Sequence, residues 1–233
     1  MEEGIFILEV EHVRIRNKLQ VNEEVSFRLE KNEIFGVVGG NGSGKSTLLR
    51  TILGLHSGKN GRIKIWGENV SEQIGKSLNV GVVFQQPTLD FKLSVLRNLE
   101  YFSLLHKSSI DSERIDAVAH LFNLSSYLHE EAFRLSPGLR RKVDLGRALL
   151  HEPELLVMDE PTVNLDNNSR NTFWRHIKDL VDSKRLTVLF TTNNLDDQAY
   201  CEKILDLKTG CIARRGDREN GPSSCENDKT RTG

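Results

Sequence analysis

The chain has 233 residues, 37% apolar and 28% charged, with 32 basic against 33 acidic side chains and a formal net charge of −1. This is the composition of an ordinary α/β protein of one domain, or one domain with a subdomain, and it is enough to bury a real core. The near balance of charge excludes a global field that would draw the chain to nucleic acid or to an anionic membrane, so membrane association has to run through a partner.

The stretch Met1 to Glu9 is acidic and lacks the basic n-region of a secretory signal, and no apolar run reaches the ~18 residues that span a bilayer. A cytoplasmic protein is expected. Cys201, Cys211 and Cys225 form no CxxC or Cys/His ligand spacing, which predicts three reduced thiols, two of them packing near the last strands.

Ile5, Ile7, Val10, Val13 and Ile15, then Val25, Phe27 and Leu29, alternate with polar residues as half-buried antiparallel strands do. Glu33 to Val38 is an apolar run of the kind that is buried on both faces, and it ends in a glycine cluster. Leu48, Leu49, Ile52 and Leu53 then recur at helical spacing. A turn at Ser57 to Gly61 leads to strands over Arg62 to Trp66 and Val80 to Phe84. From Pro87 to Arg134 the pattern becomes helical, with Ile115, Val118, Ala119 and Phe122 on one stripe, and predicts an inserted helical subdomain over 87–138. Phe91, Leu93, Val95 and Leu96 read mostly as its core. A helix from Leu139 to Leu150, a strand Leu155 to Met158, a helix carrying Phe173, Ile177, Leu180 and Val181, and a strand Leu186 to Thr191 complete an α/β fold with a largely parallel sheet covered by helices. The folded domain is expected over 1–216, followed by a polar, disordered tail over 217–233.

Gly39-Gly40-Asn41-Gly42-Ser43-Gly44-Lys45-Ser46-Thr47 satisfies G-x-x-x-x-G-K-[ST] between a buried strand and a helix start. Glycines let successive backbone N–H groups turn inward as an anion nest, and the helix N-terminus adds partial positive charge. Lys45 then serves the β- and γ-phosphates of a nucleotide, and the Ser46 hydroxyl serves Mg²⁺. The strand Leu155 to Met158 ends in Asp159-Glu160, where open α/β sheets bind ligands. Asp159 is the candidate for holding Mg²⁺ through water, and Glu160 for orienting or deprotonating the attacking water. These two motifs point to nucleotide hydrolysis without choosing among kinases, GTPases and transport ATPases.

The choice comes from residues between and after them. Gln85 stands 40 residues beyond Lys45, Ser136 of Leu135-Ser136-Pro137-Gly138-Leu139-Arg140-Arg141-Lys142 stands 23 before Asp159, and Asn164-Leu165-Asp166 follows. In this order the chain resembles the ATP-binding-cassette (ABC) ATPase family over about residues 7 to 213: Walker A, Q-loop, LSGGQ-type signature, Walker B, D-loop and switch region. The resemblance implies a P-loop NTPase sheet with an N-terminal antiparallel β subdomain. It implies a dimer in which Ser136, the Gly138 amide and the following helix contact the phosphate held by a second ABC subunit, with Asp166 communicating across that interface. Gln85 is implied to reach Mg²⁺ and the attacking water. The partner is implied to be an integral-membrane permease that leaves the chain peripheral on the inner face of the membrane; Val82 to Leu99 and Pro161 to Trp174 look most like exporters of drugs, polysaccharides or similar amphiphiles.

Three departures from the family pattern bear on rate and affinity. The switch histidine is replaced by Asn193, an amide that carries no charge. The signature has Pro137 and Leu139 where Gly and Gln are usual, which removes donors while leaving the helix start comfortable. Between Ile7 and Ser26 there is no aromatic residue to stack on adenine, and Asn17 or a neighbour fills that slot. A weakly active or regulatory subunit of a heterodimer is therefore one alternative; a soluble ABC ATPase acting on nucleic acid is another, disfavoured because the chain has one cassette and no long coiled-coil insertion.

Overall fold

The computed structural model describes residues 6–16, 21–56, 61–72, 79–105 and 111–215. Asn17, the turn over 57–60 and the polar tail lie outside the described residues. In chain order the elements are β1 (Phe6–Arg16), β2 (Val21–Glu30), β3 (Ile34–Val38), α1 (Lys45–Ile52), β4 (Arg62–Ile65), β5 (Glu68–Asn69), β6 (Val80–Val83), α2 (Val95–Leu105) and α3 (Ser112–Leu121). They continue with α4 (Pro137–Leu149), β7 (Leu155–Asp159), α5 (Asn167–Asp182), β8 (Thr187–Thr192), α6 (Leu195–Gln198), β9 (Lys203–Asp206) and β10 (Ile212–Arg214). The chain divides into two compact units, Met1–Leu78 with Thr187–Gly233, and Asn79–Leu186.

In the first unit β1 pairs antiparallel with β2 through Val10↔Phe27 and Val13↔Val25, and its other edge takes β4 and then β5. The expected alternation is real but interrupted. Register shifts between Phe6 and Leu8 and between Val10 and Val13 bury both Ile7 and Leu8, so neighbouring residues share the core. β3 lies parallel between β8 and β9, and β10 adds antiparallel to β9. Phe27 stacks on Phe35 with ring centroids 4.9 Å apart, which joins the antiparallel sheet to β3.

In the second unit β6 and β7 run parallel, from Val80↔Leu155 to Val83↔Met158. The stripe Ile115, Val118, Ala119 and Phe122 is buried as its spacing predicts. α3 starts at Asp111, whose side chain accepts from the Arg114 amide at 2.9 Å. α4 begins two residues earlier than expected, because Pro137 with its preset φ occupies the first turn and Ser136 caps it. Val95 is core, whereas Phe91 is exposed, with the Arg140 guanidinium 5.0 Å from its ring centroid. α5 buries Phe173, Trp174, Ile177 and Val181.

Cys201 is a buried thiol in no disulfide, but Cys211 is disulfide-bonded, which corrects the expectation of three reduced thiols. Cys201 also fixes what β3 can hold. A Cβ built on Gly36 would lie 2.5 Å from the Cys201 Sγ, well inside contact distance. Gly36→Ala is therefore predicted to destabilise the chain by about 1–3 kcal/mol in urea unfolding, as overpacking does, and Cys201→Ala added to it is predicted to restore most of the loss. Unchanged stability of Gly36→Ala would contradict this packing.

Candidate nucleotide site

β3 ends at Val38, α1 begins at Lys45, and the intervening loop is shaped by its glycines. Gly42 and Gly44 have φ of 79° and 100°, a left-handed region costly for other residues. The Ser43 amide closes the turn onto the Gly40 carbonyl at 3.2 Å. Gly44 is the N-cap of α1 and supplies no side-chain acceptor to the first-turn amides, which leaves that helix end suited to an anion. Ser46 and Thr47 occupy this first turn.

Lys45 is only 5% exposed. Its Nζ donates to the Gly39 carbonyl at 2.8 Å, the Gly40 carbonyl at 3.2 Å and Asn193 Oδ1 at 2.6 Å. Asn193 Nδ2 donates in turn to Asn41 Oδ1 at 2.7 Å. The sheet makes this meeting possible: Val38 at the end of β3 is in register with Thr192 at the end of β8, so the loop after each strand leaves from the same sheet edge. Thr192 Oγ1 donates to the fully buried Asp197 at 2.8 Å and accepts from the Asn194 amide at 2.9 Å, fixing the turn that presents Asn193. A pocket of about 450 Å³ adjoins the loop, lined by Gly39, Gly40, Asn41 and Asn193 with Asp206 and Lys208.

In the second unit Asp159 ends β7 and is buried, and Glu160 follows with φ 45°, a strained value for a non-glycine residue. Gln85, just beyond β6, donates from Nε2 to Glu160 Oε2 at 2.8 Å. Beneath both lies a residue that sequence reasoning did not single out. Arg141, 5% exposed on α4, donates to the carbonyls of Phe84 at 2.5 Å, Asp159 at 3.2 Å, Glu160 at 3.0 Å and Pro161 at 2.6 Å. Burial lowers its pKa to about 10, against the pull of the Asp144 and Asp159 carboxylates, so it is cationic at neutral pH.

Ser136 is exposed and its Oγ accepts from the Leu139 amide at 3.3 Å. A Cβ on Gly138 would meet only ordinary contacts, 3.5 Å to the Ser169 Oγ and beyond, so nothing close by within the chain requires a glycine there. Asp166 caps α5: its carboxylate accepts from the Ser169 amide at 3.0 Å and hydroxyl at 2.7 Å, and those bonds hold its pKa below the usual range.

Among the described residues no group of three or more His, Cys, Asp and Glu forms a metal cage. Ser46, Gln85 and Asp159 each carry the kind of oxygen donor that Mg²⁺ accepts beside nucleotide phosphates. If the Gly39–Lys45 loop is the phosphate cradle, Lys45→Ala removes its charge and its donors. Isothermal titration should then find MgATP binding weakened by at least about 30-fold, corresponding to the ~2 kcal/mol of a charged hydrogen bond; unchanged affinity would exclude the assignment.

Comparison with known proteins identifies the family. The family model described as "ABC transporter" matches residues 22–163. The uncharacterized ABC transporter ATP-binding protein YdbJ of Bacillus subtilis is 34% identical over 91% of this chain and 69% of its own length. The Nod factor export ATP-binding protein I of Cupriavidus pinatubonensis is 34% identical over 88% of this chain, which spans 64% of that relative. Among solved structures, the dimeric post-hydrolysis state of the ATP-binding cassette MJ0796, bound to ADP and Pi, superposes with a TM-score of 0.78 at 23% identity, over 89% of this chain and 98% of that one. With the family model covering more than half of the chain, this chain belongs to the ABC transporter family as an ATP-binding-cassette ATPase.

Proposed function

We propose that the chain binds MgATP in the Gly39–Thr47 loop, pairs with a second cassette, and hydrolyses the nucleotide at their interface to power export through a separate membrane permease. The observation that carries this reading is the buried Lys45 ammonium among loop carbonyls and Asn193, supported by the Gln85–Glu160 pair. A triphosphate tail would displace the Asn193 carboxamide from Lys45 by offering charged oxygens to the same ammonium. Glu160 takes the proton of the attacking water or orients it, Gln85 holds that carboxylate and the water, and Asp159 steadies Mg²⁺. Ser136 and Gly138, at the exposed start of α4, serve the partner's γ-phosphate; the room around Gly138 is consistent with close approach from outside the chain. Asp166, at the start of α5, lies on the same surface of the cassette in this reading.

No helix among the described residues is long and apolar enough to cross a membrane. In this reading transport runs through a separate membrane partner, and docking to it would hold the chain on the cytoplasmic inner face. Export is favoured by the similarity to the Nod factor export ATP-binding protein I of Cupriavidus pinatubonensis. The net charge of −1 gives no support to a nucleic-acid partner.

A second version has specific support: a slow or regulatory subunit of an asymmetric pair. Asn193 stands where the resemblance implies a histidine, and its amide cannot carry the charge or shuttle the proton of an imidazole. Pro137 supplies no N–H and Leu139 no side-chain donor at the start of α4. Single-turnover hydrolysis should accelerate by about 10²-fold in Asn193→His, the lower end of what acid–base groups contribute. No gain in rate would remove the switch residue as the cause of slow turnover. Co-purification with a hydrophobic permease rather than with RNA tests the transport assignment.

A further inference from the structure

We propose that Arg141, Asp144 and Arg147 form a positioning row on the signature helix α4 that holds Gln85 and Glu160 in register with one another. The inference rests on the reading of Gln85 and Glu160 as the hydrolytic pair. The three residues recur every three positions and therefore lie along one side of α4. Asp144 is 2% exposed, and the Arg147 side chain 14%.

They bracket the segment that carries Gln85. Arg141 Nη1 holds the Phe84 carbonyl, immediately before Gln85, at 2.5 Å. At the far end Asp144 Oδ1 accepts from the Thr88 amide at 3.3 Å and hydroxyl at 3.4 Å. Arg147 Nη1 donates to the Thr88 carbonyl at 2.7 Å, its Nη2 reaches the Thr88 hydroxyl, and the same Nη2 lies 3.3 Å from Asp144 Oδ1. Gln85 itself is exposed, so its placement comes from these two anchored ends and from Glu160 rather than from burial.

Glu160 is held by the same guanidinium. Arg141 binds the carbonyls of Asp159, Glu160 and Pro161, on either side of and at the residue whose φ is 45°. A strained backbone value persists when its surroundings over-determine it, and these three bonds do so. Arg141 thus fixes the backbones of two motifs whose side chains meet at 2.8 Å. A planar fork with five donors can span such a set of carbonyls; an ammonium on a flexible stem cannot. Because Ser136 caps α4, the helix assigned to the partner's phosphate in the proposed function is the one that holds the backbones of this subunit's own Gln85 and Glu160 segments.

The test is a double-mutant cycle on the full chain, with steady-state hydrolysis and MgATP titration as readouts. Arg141→Lys is expected to lower kcat at least about tenfold while the dissociation constant of MgATP stays within about twofold. In a Gln85→Ala background the same substitution should cost at least about threefold less than in wild type, since one of the two residues it positions is gone and only Glu160 remains. Thr88→Val, at an exposed residue that leaves the fold intact, should show the same non-additivity with a smaller loss, and carries the cycle by itself if Arg141→Lys does not fold. Losses that multiply with that of Gln85→Ala, or a change confined to MgATP affinity, overturn the positioning role. Equal turnover of wild type and Glu160→Gln overturns the hydrolytic reading, and this inference with it.

Discussion

The arrangement depends first on where the Lys45 charge goes. A buried ammonium is costly unless hydrogen-bonded, and here two loop carbonyls and the Asn193 carboxamide accept its protons. None of these three acceptors carries formal charge, so a phosphate oxygen competes with them on favourable terms. The left-handed glycines shape the loop so that its carbonyls reach Lys45, and the parallel pairing of β3 with β8 delivers Asn193 to the same place. The cradle is thus a product of loop conformation and sheet register together.

The second unit solves a different problem with the same kind of group. It must hold a carboxylate and a carboxamide against each other at the ends of two strands, β6 and β7. One buried guanidinium with four carbonyl acceptors does this, and Asp144 and Arg147 extend the hold along α4. Each unit is therefore organised by a buried cation satisfied largely by backbone oxygen. In the proposed function the first cation meets the nucleotide and the second is scaffolding.

The sequence made much of this legible. Alternation found β1 and β2, the apolar runs found β3 and β7, and the helical stripe over Ile115 to Phe122 is buried as its period requires. Motif context located the loop and the acidic strand end. What it missed depends on contacts between distant residues. Asn193 was recognised as a departure from the family, but its bond to Lys45 joins residues 148 apart and follows only from the pairing of β3 with β8. Arg141 sits in the run Arg140-Arg141-Lys142, which reads as a solvated helix face; only the direction of α4 sends the middle residue inward. The short strands β9 and β10 carry too few residues for a period to register. The disulfide at Cys211 had no spacing signal at all.

The account's central claim is that the loop grips the phosphate chain and that the base contributes little, since no aromatic lies between Ile7 and Ser26. Calorimetric titration of the purified chain with ATP, GTP, ADP and AMP in the presence of magnesium tests this most directly. The account predicts that ATP and GTP bind within about tenfold of each other, consistent with the loss of ~1–3 kcal/mol of base stacking, and that AMP does not bind measurably. Binding of AMP as tight as that of ATP would contradict it.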